Sequence, residues 1–417
     1  MVIGSYIRCD MCDAVFKFRL QLDNSIYLYE LPIGIMCPRC GNTFDCRYSN
    51  KNGILPMQYN VEIEDEADYS IAYSPQLPIP ASQYYQEKGM IGLTPYLELS
   101  QYYDMMDVSR FGSYVQLILD NFYPQRELFF NCLPILKKGN VRAFQKMVQK
   151  LAGVNNPSRN IKDIEECFAT YHNFYVSAWR TFAVKSYQEH AGKVFQKMLD
   201  AVQAMPKERL RDLYDRLNGL QSLSKWRWET WEDFGNWAEH VERYFPAMFY
   251  LYMGDYRLPH TPGSCIVTIT QTYSNSNYSK AYTRLSQILP LLIGLLNWKN
   301  TGDYNVFPNK EGCMKGISDI CNFASIAEGM RLDKLEDYEE VQTYLMGCLD
   351  SRMRNAIDHH HVEMDTESQE LKYFYRPGND NLYKTGTLID ECYMTLICQL
   401  HLVEAVLIVD EIKNRLK

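Results

Sequence analysis

The spacing of apolar residues changes period along this chain. Near the N-terminus it alternates: Phe16, Phe18, Leu20 and Leu22 are separated by Lys17, Arg19 and Gln21. That is the period of a strand with one buried face. Asp23-Asn24 predicts a turn, and Ile26-Tyr27-Leu28-Tyr29 a returning strand. Residues 51–95 keep no period. Residues 62–68 are acidic, and Pro75, Pro78 and Pro80 break helices, so this stretch reads as a connector. From residue 96 to about 254 apolar and aromatic residues recur at threes and fours, most clearly over 163–201, and Pro206 opens a further helical segment. Residues 265–273 are β-branched and predict a short strand, and 274–279 a polar turn.

Beyond residue 278 the pattern is helical again, over 285–296 and 314–330. Asp333 opens a long helix with Leu335, Tyr338, Val341, Leu345, Cys348, Leu349, Met353 and Ile357 on one stripe. Its acids, Glu336, Asp337, Glu339 and Glu340, fall in the first turns, where they complement the helix dipole and read as a solvated face. Residues 370–375 predict a strand, 377–380 a turn, and 387–416 the last helix. The fold class expected is mostly α: a C-terminal helical bundle, a helical middle region and a small N-terminal β module.

Composition narrows the function classes. With 417 residues, 46% of them hydrophobic, the chain has material for two or three cores and is far from a disordered composition. The 32 tyrosines suggest broad amphipathic surfaces. A formal net charge of −8 excludes a generic polyanion binder. Residues 301–417 hold 12 Lys and Arg against 21 Asp and Glu, so any contact with RNA must concentrate its positive charge locally. No glycine loop suited to phosphate and no repeat is present. The apolar runs at 288–296 and 394–408 are short or interrupted, so no membrane span is expected. The first residues lack a secretory pattern, and 13 cysteines is an odd count; both favour a reducing cytoplasm with clustered cysteines on metal.

Cys9-Asp-Met-Cys12 and Cys37-Pro-Arg-Cys40-Gly41 are two CxxC knuckles. Each presents two thiolates around a tight turn, and together they complete a tetrahedral zinc site, with the strands between them forming a hairpin, as in a zinc ribbon. A segment of about fifty residues has little core, so the metal would supply folding energy. The alternatives are a metal-free reduced module or redox chemistry at one CxxC; Cys46 is a fifth cysteine without a partner. Lys17, Arg19, Arg39 and Arg47 offer nucleic-acid contacts but are balanced by Asp10, Asp13, Asp23, Glu30 and Asp45. Trp226, Trp228, Trp231 and Trp237 read as helix packing in preference to a base-stacking platform.

The densest chemistry lies at Arg354-Asn355-Ala356-Ile357-Asp358-His359, followed by His360 and His361. Arginine holds phosphate through two parallel hydrogen bonds at any pH, and histidine moves protons near neutrality. These are the groups needed to cleave RNA without a metal. Outside this cluster no histidine has an arginine at that upstream spacing. Five residues correspond to about 140° around a straight helix. Either the helix therefore ends between Arg354 and His359, or pairs from two chains converge across a two-fold axis. Two other readings stay open: a polar helix end in a non-catalytic bundle, and a metal site from Asp358, His359, His360, His361 and Glu363.

The Arg-polar-x3-His pattern, the amphipathic segment before it and the final helix resemble the HEPN family (higher eukaryote and prokaryote nucleotide-binding), over about residues 280–417. The resemblance implies a metal-independent endoribonuclease acting as a homodimer, of the kind found in toxin–antitoxin, abortive-infection and antiphage systems. Arg354 would bind phosphate, Asn355 would be the polar residue beside it, and His359 the catalytic histidine; Arg352 satisfies only the loosest spacing. His360, His361 and the strand at 370–375 are not part of the family pattern. The division expected is a zinc ribbon at 1–50, a linker at 51–95, a sensing or gating region at 96–275 and a HEPN-like domain at 276–417. The gating region would answer to a phage-derived or antitoxin protein.

Overall fold

The computed structural model of the chain describes residues 2–21, 30–49, 51–55, 67–80, 85–87, 93–122, 126–149, 161–254, 264–308, 312–336, 338–375 and 382–417. It is mostly helical, with a small N-terminal β region and a helical C-terminal region. The chain separates into two compact units, each assembled from three segments. The first holds residues 1–117, 240–279 and 352–396; the second holds 118–239, 280–351 and 397–417. The expected boundaries at 50, 95 and 275 do not coincide with this division. The Arg354–His359 segment belongs to the same unit as the CxxC knuckles.

Strands of the first unit are β1 (Val2–Arg8), β2 (Val15–Gln21), β3 (Leu31–Met36), β4 (Thr43–Ser49), β5 (Gly53–Leu55), β6 (Tyr69–Tyr73), β7 (Ile79–Pro80), β8 (Tyr85–Glu87), β9 (Ser264–Cys265), β10 (Val362–Met364), β11 (Glu370–Phe374) and β12 (Tyr383–Thr387). They form sheets of order β1-β2-β6-β8, β3-β4-β5 and β10-β11-β12, with β7 paired to β9. The alternation in β2 does what its period predicts: Phe16, Phe18 and Leu20 are buried, Lys17 exposed. The knuckles lie differently from the expectation. β1 pairs antiparallel with β2 and β3 with β4, so each CxxC sits at the tip of its own hairpin, and among the described residues no hairpin lies between them. Asp23-Asn24 and residues 26–29 fall outside the described residues, as does the turn expected at 377–380. The connector is also corrected. Residues 53–87 contribute β5 to β8, and β6 joins β2 in parallel, with Phe16 opposite Tyr69. Prolines bound these short strands without preventing them.

A buried strap ties the β3–β4 hairpin to the rest of its unit. Gly34 N–H donates to Val267 O at 2.9 Å, beside a parallel bridge to Thr268. A Cβ at Gly34 would lie 2.4 Å from the carbonyl carbon of Ile269, so only glycine permits this approach. Buried Arg243 pairs with Asp45 on β4 at 3.0 Å, donates to Thr268 O at 3.2 Å and lies over the Tyr273 ring. From its other side the strap is held by Gln369, whose amide bonds both the N–H and the C=O of Ile266 at 2.8 Å. Gln369 directly precedes β11.

The labelled helices are α1 (Met105–Asn121), α2 (Arg126–Lys137), α3 (Ile164–Phe182), α4 (Lys193–Ala204), α5 (Lys207–Leu220), α6 (Leu223–Glu239), α7 (Phe245–Tyr252), α8 (Gln271–Thr301), α9 (Ile320–Ser325), α10 (Glu328–Asp333), α11 (Glu339–Tyr344), α12 (Ser351–Asp358) and α13 (Leu388–Leu416). Two expectations fail here. The strand at 265–273 is only β9, and the polar turn at 274–279 is the first part of α8. Thr270 starts that helix, with its Oγ1 accepting from Tyr273 N–H, and Ser274 is buried, so burial overrides a weak local preference. Asp333 ends α10, and the single long helix expected from it is instead α11, a 3-10 turn at Met346–Cys348, and α12. Its apolar stripe is buried all the same, from Leu335 to Ile357. Burial demanded those positions and left the backbone free to break at Leu349, which is extended.

In the second unit Trp226, Trp231 and Trp237 are buried, and Trp226 Nε1 donates to Arg284 O at 2.9 Å. Packing is therefore the role of three of the four tryptophans. α13 is the one described helix long and apolar enough to cross a membrane, and 94% of its apolar window is buried within the structure. Glu391, Gln399, His401 and Glu404 are buried along it.

Candidate functional site

The two knuckles are built alike. Cys9 N–H donates to Ala14 O and Asp13 N–H to Cys9 O; Cys37 N–H donates to Asn42 O and Gly41 N–H to Cys37 O. Asp13 and Gly41, each directly after its second cysteine, adopt positive φ of 59° and 74°. The turns bring Cys9, Cys12, Cys37 and Cys40 together, their sulfurs all within 4.8 Å of one another. Cys9 and Cys40 sulfurs are 3.6 Å apart, Cys12 and Cys37 sulfurs 3.7 Å. A tetrahedral ion bound at about 2.3 Å to each sulfur requires sulfurs about 3.8 Å apart. The donor set therefore fits a metal ion. Burial pushes the Cys37 thiol up to about 12, an environment whose effect a bound cation would reverse. Cys46 is on β4 opposite Ile33, buried and outside the cluster; burial pushes its thiol up to about 12 as well. It is a core residue.

Arg354 and Asn355 lie on α12, and Arg354 Nη1 donates to Asn355 Oδ1 at 3.2 Å. Arg354 Nε is 3.0 Å from Asp358 Oδ2, an ion pair one turn along the helix. Asp358 also accepts from Ser279 Oγ on α8 at 2.5 Å. The arginine is thus oriented by a carboxylate that is itself held by a neighbouring helix. Three histidines end α12. His361 N–H bonds Ala356 O and His360 N–H bonds Ile357 O, the double closure of a left-handed helix cap. His360 supplies the left-handed residue, at φ 58°, a conformation in which histidine is enriched among non-glycine residues. His359 is the exposed cap, and its ring centroid lies 6.2 Å from that of His361, which leads into β10. The helix therefore ends at the histidines, downstream of Arg354. Arg352 points elsewhere, its guanidinium 5.2 Å from the Tyr375 ring centroid. Among the described residues, the cysteine group is the one His/Cys/Asp/Glu set whose ligand atoms converge; Asp358, Glu363 and the histidines are not brought together in that way.

Two clusters were not anticipated from sequence. In the first unit Glu391, fully buried on α13, accepts from Tyr373 OH at 2.8 Å. It also accepts from both N–H groups of the Asn275 amide at 2.9 and 3.0 Å, in the orientation that satisfies both partners. Burial raises its carboxyl to about 7. It locks the starts of α8 and α13 to β11. In the second unit an open groove of about 760 Å³ is lined by Phe168, Trp228, Arg227, His172, Asp410 and Lys413, among others. Asp410 binds Arg227 at 2.6 Å and His172 at 2.8 Å, and burial lowers Lys413 to about 8. These residues are widely separated in sequence and no short motif signals them.

Compared with protein-family models, with curated proteins and with solved structures, the chain matches none.

Proposed function

We propose that this chain is a metal-independent endoribonuclease of HEPN type, carrying a structural zinc ribbon and serving as an antiphage or toxin-like effector. The observation that carries the reading is the exposed end of α12, where Arg354, oriented by Asn355 and Asp358, precedes His359. RNA cleavage needs a cation for the phosphate and a group that moves a proton at neutral pH. The 2′-hydroxyl attacks the adjacent phosphorus and the bond to the 5′-oxygen breaks, leaving a 2′,3′-cyclic phosphate and a 5′-hydroxyl. His359 moves the proton and Arg354 stabilises the phosphorane. Asn355 holds the guanidinium. The family resemblance implies a homodimer in which two such pairs face one another.

Zinc, when bound by Cys9, Cys12, Cys37 and Cys40, supplies cross-linking of the two hairpins and no chemistry at the RNA. Residues 96–275 are the candidate gate, answering to a phage-derived or antitoxin protein. The rival reading is a non-catalytic, nucleic-acid-binding scaffold, favoured by the Asp358–Arg354 ion pair, which neutralises the arginine in this structure. Expression in a bacterial host separates the two. Growth arrest relieved by both Arg354→Ala and His359→Ala, with each variant still folded, supports the nuclease. Arrest that both variants retain in full overturns it.

A further inference from the structure

The groove of the second unit holds a serine and a lysine in contact. Ser224 is exposed in the first turn of α6, and Lys413 Nζ, in the last turn of α13, donates to its Oγ at 2.9 Å. Both residues line the groove. A hydroxyl hydrogen-bonded to an amine is a nucleophile beside a base, provided that the amine can lose its proton. The surroundings of Lys413 favour that loss. Burial first, then the Arg227 guanidinium and the Lys417 ammonium, lower it to about 8, against the opposing pull of Asp410. Asp410 is shared, at 2.6 Å from Arg227 and 2.8 Å from His172 on α3, and Lys417 pairs with Glu165. Tyr214 on α5 also bonds the Ser224 hydroxyl.

The backbone at Ser224 suits an oxyanion. Of the N–H groups in the first turn of α6, that of Leu223 donates to Asn218 Oδ1 at 3.0 Å and that of Lys225 to Ser222 Oγ at 3.2 Å. Among the described residues the Ser224 N–H between them meets no acceptor. It lies at the positive end of a helix, next to the oxygen that would attack.

The lining of the groove selects the substrate. Asp163 and Glu166 cap the start of α3, accepting from Glu166 N–H at 2.9 Å and Lys162 N–H at 2.7 Å. These carboxylates repel an anion, while Arg227 is committed to Asp410 and lies 4.4 Å from the Trp231 ring centroid. Phe168 and Trp228, edge to face at 5.5 Å, add an aromatic wall. At about 760 Å³ the groove has the size of a small-molecule site.

We propose that this groove is an esterase site for an uncharged ester with an aromatic acyl group, with Ser224 as nucleophile and Lys413 as base. Ser224 Oγ bonds to the acyl carbon as its proton passes to Lys413 Nζ. The bond to the alcohol oxygen breaks, and Lys413 returns the proton to that oxygen. Water, deprotonated by the same amine, then releases the carboxylic acid and restores the serine.

The full chain is tested with two probes. A fluorophosphonate, which phosphonylates activated serines, should label Ser224, as read by peptide mass spectrometry. p-Nitrophenyl phenylacetate should be hydrolysed at a rate that rises with pH and levels off above about 8. Ser224→Ala should abolish both signals. Lys413→Arg keeps the positive charge and a hydrogen-bond donor but not the base, so kcat should fall at least a hundredfold with KM little changed. Trp228→Ala should raise KM for the phenylacetate more than for the acetate ester. Circular dichroism establishes that each variant is folded; should Lys413→Arg unfold, the pH profile of the parent and the loss in Ser224→Ala decide. A folded parent whose Ser224 is not labelled overturns the proposal, as does hydrolysis that survives Ser224→Ala or an unchanged rate in folded Lys413→Arg. A profile that levels off near pH 6.5 assigns the base to His172 and overturns the role of Lys413.

Discussion

Gly34→Ala probes how the knuckle hairpin is joined to the unit that carries the histidine motif. The new Cβ would meet Ile269 C at 2.4 Å, Ile269 O at 2.7 Å and Thr270 N at 2.8 Å. All three are backbone atoms, so no side chain can swing away. Restoring ordinary contact, at 3.4 Å or more, requires β3 and the strap to part by about 1 Å. That lengthens the Gly34 N–H to Val267 O bond from 2.9 Å beyond hydrogen-bond range. Overpacking costs about 1–3 kcal/mol, and one lost buried hydrogen bond about 1 kcal/mol more. The sum, about 2–4 kcal/mol, lowers the melting temperature of a unit this size by about 5–15 °C. Gly41→Ala is the control. Nothing lies within 4 Å of its Cβ, and only its φ of 74° opposes the change, costing about 1 kcal/mol. Differential scanning calorimetry with hydrogen exchange reads both effects. Exchange should rise at 264–270 and 365–370 in Gly34→Ala and stay unchanged in Gly41→Ala. If Gly34→Ala melts no lower than Gly41→Ala and protects the strap as the parent does, the close approach described above is wrong.

Two further outcomes follow from named groups. The purified protein should hold one zinc per chain, lost in Cys37→Ser or Cys40→Ser together with about 5–15 °C of thermal stability in the first unit; zinc retained by the double variant, measured by plasma mass spectrometry, excludes the site. Glu391, raised by burial from 4.5 to about 7, favours its proton in the folded state, so its contribution is full below about pH 4.5 and is lost as pH rises through 7. The loss is of order 3 kcal/mol, and urea titrations across that window should show Glu391→Gln flattening the decline; an identical pH dependence in the variant would show that Glu391 stays ionised.

Local spacing was legible in this sequence, and long-range pairing was not. The cysteine spacing anticipated that four sulfurs come together because a CxxC turn is local and dictates its own geometry. The hairpins holding them were misplaced because β2 pairs with β1 and with β6, and pairing partners are not encoded in one strand's alternation. The apolar stripe from Leu335 to Ile357 was read correctly as buried, but periodicity did not reveal the breaks at 345–350. Polar Ser274 and Asn275 looked like a turn because their partner, Glu391, lies more than a hundred residues away. The same distance hid the Gly34 strap and the Asp410–Arg227–His172 cluster. At the motif, sequence supplied Arg354, Asn355 and His359; the ion pair with Asp358, its support from Ser279 and the histidine cap required three dimensions.

The central claim, metal-independent cleavage through Arg354 and His359, is tested most directly by the ends of the RNA it produces. Purified full-length protein, with its cysteine site loaded and free divalent ions removed by chelator, is incubated with labelled single-stranded RNA, and the fragments are analysed by mass spectrometry. The account predicts 2′,3′-cyclic phosphate and 5′-hydroxyl ends, reduced at least a hundredfold by either Arg354→Ala or His359→Ala. Fragments bearing 5′-phosphates, cleavage that needs an added metal ion, or equal cutting by both variants would contradict it.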